Sequence, residues 1–280
     1  MGFELVKRTP DHLRGCSGNT GRIPITERGI AGMVIRPEEL SDLRNVTGLV
    51  AQLIILDRGN QDKCRALLEE CGALAEITAF FAQRPGDSFT PDYVDLWNLY
   101  NYIVSESPAV VWEFGSGIST VVMAYAQARR GGDGHVFAVE PDADWAASTF
   151  TALPSHLRER CDVFYSAAAS CTMGGTPSSR FAELPDVLPD MIYIDGAPKN
   201  SAYKGAENIF FIEDQLEPGT TVLIDGRGPA CQFFLKGLLK REWQMKAQMV
   251  WLELHASNYH AAGQPFGLDL FSNTMFRLVA

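Results

Sequence analysis

The residues of this chain best suited to chemistry are one short run and the acids spaced behind it. Val110–Thr120 reads Val-Val-Trp-Glu-Phe-Gly-Ser-Gly-Ile-Ser-Thr. An apolar run too short for a helix carries one acid, Glu113, and passes at once into Gly115-Ser116-Gly117. A helical pattern follows. This is the pattern of a buried strand handing its chain to a helix whose N-terminus faces a ligand. Glycine is needed there because the turn is tight and the backbone must approach the ligand closely.

The text around this run alternates strands and helices. Val110–Phe114 predicts the first strand, and Ile118–Arg130 a helix ended by Gly131-Gly132. Further strands are predicted at His135–Val139, Asp162–Tyr165, Met191–Ile194 and Thr221–Ile224, then near Gln244–Leu252 and at Thr274–Val279. Helices are expected after Asp142, over Ala202–Leu216 and over about Pro229–Leu239. Short apolar strands separated by helices imply a parallel sheet covered on both faces, and the last two strands suggest an antiparallel hairpin.

The expected fold is therefore α/β, a seven-stranded, mostly parallel, doubly wound sheet with an N-terminal helical extension. Residues 1–35, interrupted by Gly15, Gly18, Gly21, Gly29 and Gly32, read as a loosely structured arm. Residues 36–105 read as helices forming a cap or a homodimerisation segment. One runs from Pro37, one from Gln61 to Gln83 with a break at Gly72, and one from Pro91 to Ser105. On the third, Tyr93, Leu96, Trp97, Tyr100 and Ile103 make an aromatic stripe that reads as core. Residues 106–280 form the ligand-binding domain.

In an open parallel sheet, ligands bind beyond the carboxyl ends of the strands, where strand order reverses. Those ends carry Gly115-Ser116-Gly117, Glu140-Pro141, Asp195-Gly196 and Asp225-Gly226. Three of the four carry an acid, although strand-to-helix turns also favour Asp as a cap. Glu140 falls about twenty residues after the glycines, where an acid can accept hydrogen bonds from both ribose hydroxyls of a nucleoside. A dinucleotide site would place a third glycine where Thr120 stands, and the anion of Glu113 would oppose a pyrophosphate. A nucleoside carrying an amino group and a sulfonium suits these residues better than NAD.

The run Glu113–Thr120 resembles the first motif of class I S-adenosylmethionine-dependent methyltransferases, in a variant with Ser-Thr after the glycines. Val136–Pro141 is similar to their second motif. Met191–Gly196 and the stretch Leu216–Asp225 are similar to the strand-four and strand-five regions. The resemblance spans about residues 88–280. It implies S-adenosylmethionine as cofactor, with Glu113 and the backbone of Gly115, Ser116 and Gly117 holding its methionine part. Glu140 would bind the ribose with Pro141 nearby, Ser166 and Ala167 would flank the adenine, and Asp195 would lie near the transferred methyl group.

Methyl transfer to oxygen or nitrogen benefits from a base, and Asp195, Lys199, His255 and His260 are the candidates. Asp195 and Asp225 also raise a divalent-metal-assisted version, since oxygen ligands suit Mg²⁺; Gly226 departs from the family's metal pattern. Competing readings are transfer of the cofactor's aminoalkyl group, an NAD-linked oxidoreductase, and a cofactor-binding or interaction protein without turnover.

Composition bounds the partners. The formal charge of -10 and the absence of a basic run disfavour nucleic acid and leave a small molecule as the expected acceptor. Six cysteines without a Cys-x-x-Cys pair read as thiols in a reducing compartment. With no signal core and no bilayer-length apolar run, the expectation is a cytoplasmic protein that does not enter the membrane.

Overall fold

The computed structural model describes residues 60–84, 91–173, 176–195, 207–225, 239–255 and 267–279. The chain divides into two units, Met1–Asp62 and Lys63–Ala280. The predicted arm 1–35 and the predicted helix from Pro37 lie outside the described residues, as does all but the last residue of the helix predicted over about Pro229–Leu239.

The second unit is built on a sheet of seven strands. In chain order its elements begin with α1 (Ala73–Ala82), α2 (Tyr93–Glu106), β1 (Val110–Phe114), α3 (Ile118–Arg130), β2 (His135–Glu140), α4 (Ala143–Ala152) and β3 (Cys161–Tyr165). They continue with β4 (Ala168–Met173), β5 (Thr176–Phe181), β6 (Met191–Ile194), α5 (Glu207–Ile212), β7 (Thr221–Ile224), β8 (Trp243–His255) and β9 (Gly267–Leu278). The sheet order is β3-β2-β1-β6-β7-β9-β8, while β4 and β5 form a separate hairpin. The first five strands of that order run parallel; β9 joins β7 antiparallel, and β8 pairs with β9. Strand order reverses between β1 and β6, which opens a crevice at their carboxyl ends.

The two faces of the sheet separate by parity. Val111, Val136, Met191 and Tyr193 face one core, shared with Leu74, Ile77 and Phe80 of α1, Leu96, Leu99 and Ile103 of α2, and Val121 and Val122 of α3. Trp112, Phe114, Val139, Ile192, Ile194, Val222 and Ile224 build the other with Ile209 and Ile212 of α5. Near-continuous apolar strands are what burial on both sides demands.

Helices α1 and α2 are thus part of the layer that covers the sheet. Both helices belong to the second unit, Lys63–Ala280. Gly72 breaks the helical run before α1 with φ 90°, a left-handed conformation. The aromatic stripe of α2 is core, with Tyr100 stacked between Trp97 and Tyr125 at ring separations of 5.7 and 6.2 Å.

Two differences from the expected pattern concern the later strands. The β4–β5 hairpin has no counterpart among the predicted elements, because Ala168–Phe181 is rich in Ser and Thr and lacks an apolar alternation. Strand β9 starts at Gly267 rather than Thr274, and β8 runs to His255. Only Thr274–Arg277 pairs with β7, so the far part of the β8–β9 hairpin extends past the carboxyl end of β7. Among the described residues no helix is long and apolar enough to cross a membrane.

Candidate active site

The strand registers place the edge acids in one row. Phe114 is level with Val139 of β2 and Ile194 of β6, and Ile194 with Ile224 of β7. The next level up therefore holds Glu140, Gly115, Asp195 and Asp225. Backbone bonds continue the ladder through it: Gly115 donates to Val139 at 2.9 Å, Asp195 to Phe114 at 3.2 Å and Asp225 to Ile194 at 3.0 Å. Glycine stands between two acids, over the crevice. Strands lie about 4.8 Å apart, so the Glu140 and Asp195 backbones flank Gly115 at one strand spacing each.

The turn itself is shaped for close approach. Gly115 has φ 107°, a left-handed conformation that L side chains rarely adopt. Gly117 is extended, and among the described residues nothing lies within 4 Å of where a Cβ would project. The glycine turn thus borders open space.

Glu113 stands one layer behind this space. Its side chain is 0% exposed; Oε1 accepts from Ser119 Oγ at 2.5 Å and Oε2 from Thr120 Oγ1 at 2.5 Å. Thr120 Oγ1 also accepts from the Gly117 N–H at 2.9 Å. The position where a dinucleotide site would carry its third glycine is therefore a clamp, tying the turn to the strand. Burial holds the Glu113 carboxyl well above the usual carboxylate range; the two hydroxyls oppose this, and nearby Asp195 and Glu140 add to it. Both Glu113 oxygens accept from the clamp, behind the glycine turn expected to hold the methionine part.

Glu140 ends β2 at 6% exposure. Its Oε2 accepts from Ser116 Oγ at 3.1 Å and its Oε1 from the Asp142 N–H at 3.1 Å. Burial raises its pKa to about 6 against the pull of these hydrogen bonds. Asp195 is half-buried, with Oδ2 3.4 Å from Ser119 Oγ. Asp225 Oδ2 accepts from the buried Tyr193 hydroxyl at 2.9 Å.

Pro141 is half-buried beside Glu140, and Ala167 is exposed. Ser166 follows β3 directly and is buried. Its Oγ donates to the Glu183 carbonyl at 2.8 Å and accepts from the Glu183 N–H at 2.9 Å, which closes the base of the β4–β5 hairpin. At 3% exposure its side chain is engaged in that closure. His255 is the last residue of β8, not part of a loop; Lys199 and His260 lie outside the described residues. Among the described residues no group of three His, Cys, Asp or Glu side chains could hold a metal ion.

Four further residues belong to the site's walls. Trp145 Nε1 donates to the Ser116 carbonyl at 2.6 Å, and Thr149 Oγ1 lies 3.2 Å from Ser116 Oγ. Arg84 Nη1 donates to Thr149 at 3.0 Å, and its guanidinium lies 3.8 Å from the Trp145 ring centre. The fourth, Ser119, has a local signal, a hydroxyl in the first turn after an acid-bearing strand. Arg84, Trp145 and Thr149 carry none, because the contacts that assemble them around the turn span 29 to 65 residues.

Residues 112–226 match the family model described as a methyltransferase domain. The matched segment makes up less than half of the chain. It contains the glycine turn and the whole row of acids. No curated protein sequence matches the chain. Among solved structures it is similar to an O-methyltransferase from Bacillus cereus in complex with SAH, at 14% identity and a TM-score of 0.45 over 77% of this chain and 91% of that one. It is also similar to the O-methyltransferase TomG from Streptomyces achromogenes in complex with SAM, at 14% identity and a TM-score of 0.45 over 79% and 99%. The SAH-bound methyltransferase PaMTH1 from Podospora anserina gives 14% and 0.46 over 79% and 97%. Likeness this distant speaks to neither substrate nor partner.

The clamp makes a stability prediction. Thr120→Val keeps the shape and removes the hydroxyl, leaving Glu113 Oε2 and the Gly117 N–H without their bonds. Thermal unfolding is expected to show a loss of about 2–4 kcal/mol, roughly 5–15 °C in Tm, while Thr120→Ser retains most of the stability. An unchanged Tm for the valine variant contradicts the clamp.

Proposed function

We propose that the chain transfers a methyl group from S-adenosylmethionine to an oxygen or nitrogen atom of a small molecule. The observation that carries this reading is the row Glu140–Gly115–Asp195 within a methyltransferase domain, with open space over the glycine turn. A nucleoside crossing Gly115 has one acid on the β2 side, for its ribose, and another on the β6 side, for the reacting centre. Desolvated carboxylates around an uncharged turn favour a cationic ligand and disfavour a pyrophosphate. That preference separates this reading from an NAD-linked oxidoreductase.

When bound, the cofactor supplies an electrophilic methyl carbon on a sulfonium, open to in-line displacement. The chain's own part is alignment and proton handling. Glu140 accepts hydrogen bonds from the ribose while Ser116 fixes its carboxyl orientation. Gly115 and Gly117 leave room for the backbone to approach. Asp195, half-buried across the crevice, takes the proton that the acceptor oxygen or nitrogen gives up. The acidic charge of the chain and the lack of a basic run support a small acceptor rather than a nucleic acid.

Two outcomes test these roles. Asp195→Asn is expected to lower kcat by about 10²- to 10⁴-fold while leaving cofactor affinity within a few-fold. An undiminished kcat removes Asp195 as the base. Glu140 must be ionised to accept both ribose hydroxyls, and its carboxylate is lost as pH falls through about 6. Affinity for S-adenosylmethionine is therefore expected to be flat above neutral pH and to fall by about tenfold for each pH unit below that point. Glu140→Gln should bind more weakly throughout and lose this dependence; a dependence that persists in the variant belongs to another group. The product of turnover decides between methyl and aminoalkyl transfer: S-adenosylhomocysteine supports the first, methylthioadenosine the second.

A further inference from the structure

The hydroxyl of Ser119 reaches a second carboxyl besides that of Glu113. Its Oγ lies 2.5 Å from Glu113 Oε1 and 3.4 Å from Asp195 Oδ2. The side chain is 3% exposed and belongs to the first turn of α3. Register explains the meeting. Glu113 is level with Tyr193, and Asp195 follows two residues later on the same face of the sheet. Helix α3 packs on that face, which brings its first turn to both carboxyls.

A hydroxyl has one hydrogen to give, so the two carboxyls compete for it. When Glu113 is ionised, the shorter bond takes the hydrogen and Asp195 receives none from Ser119. When Glu113 carries a proton, its own O–H donates to Ser119 Oγ, and the Ser119 hydrogen turns to Asp195. Thr120 donates to Oε2, which reserves Oε1 for this exchange. Burial favours the protonated form of Glu113, and repulsion from Asp195 and Glu140 adds to that preference. The protonated form of Glu113 is thus the one in which Asp195, as a carboxylate, gains a donor.

Other titratable groups surround the pair. Glu140 ends β2, and the buried Cys161 opens β3 and feels the charge of Glu113. The buried Tyr193 of β6 donates to Asp225 after β7, and Asp195 and Asp95 of α2 act on it as charges. What joins Glu113 to Asp195 is the Ser119 hydroxyl.

Resting on the reading of Asp195 as the base, we propose that Ser119 is its positioning residue and couples it to the buried Glu113 through one hydroxyl hydrogen. With Glu113 protonated, Ser119 holds Asp195 as a carboxylate ready for the acceptor's proton. With Glu113 ionised, that hold is released. In turnover the acceptor's O–H or N–H bond breaks and its proton passes to Asp195, while the Ser119 hydrogen stays on its own oxygen. The brace behind the glycine turn therefore also sets the state of the base.

The test needs no acceptor. NMR of the full chain, isotope-labelled at the aspartate side-chain carboxyl carbons, reads the titration of Asp195, whose resonance is the one missing from Asp195→Asn. Ser119→Ala removes the donor, and the Asp195 midpoint is expected to rise by about one pH unit. Glu113→Gln is uncharged and keeps the brace. Thr120 still donates to its side-chain oxygen, which turns the amide nitrogen toward Ser119 as a donor. In that variant the midpoint should stay or fall. A midpoint that does not rise in Ser119→Ala, or that rises in Glu113→Gln, overturns the coupling. Should loss of the Ser119 bond unfold the chain, Glu113→Gln alone decides. If Asp195→Asn keeps its full kcat, the reading of Asp195 as the base fails, while the midpoints still decide the coupling.

Discussion

The carboxyl of Glu113, buried and held between the hydroxyls of Ser119 and Thr120, is the interaction on which the rest of the site depends. It sits in the strand and its partners sit in the first turn of the following helix. The bonds therefore fix how α3 leaves the sheet. Thr120 passes the constraint on by accepting from the Gly117 N–H, so the turn is held from behind and its front stays open. A buried acid is costly unless its oxygens are satisfied, which is why two hydroxyls follow it within one helical turn.

From that clamp the layout of the edge follows. Parallel register puts Glu140, Gly115, Asp195 and Asp225 on one level, facing the same side of the sheet as Glu113. Burial raises the pKa of both Glu113 and Glu140, and at Glu113 repulsion from Asp195 and Glu140 adds to the rise. A cation entering over Gly115 relieves that repulsion. The same electrostatics that disfavours a pyrophosphate makes a sulfonium nucleoside a fitting occupant.

Much of this is legible in residue order, because the signals are local. Val110–Phe114 and Ile118–Arg130 match observed elements in full, and the strands ending at Ile194 and Ile224 match as well. An apolar run broken by glycine leaves little freedom. What is not legible depends on distance or on weak pattern. The Ser/Thr-rich β4–β5 hairpin has no apolar alternation, and Ser166 closes it through a residue 17 positions away. Thr120 reads as a missing glycine because its role exists only once Glu113 lies beneath it. The wall formed by Arg84, Trp145 and Thr149 assembles from α4 and the stretch after α1, between which no local spacing rule operates. The motif marks Glu113 as functional, and its burial beneath Ser119 and Thr120 makes it a brace for the turn.

The central claim is that the glycine turn and its flanking acids seat a cationic nucleoside. Titration calorimetry of the full chain with S-adenosylmethionine and, separately, with NAD tests this most directly. Saturable binding of one S-adenosylmethionine per chain, with no binding of NAD, is the predicted result. Saturable binding of NAD with none of S-adenosylmethionine would contradict it.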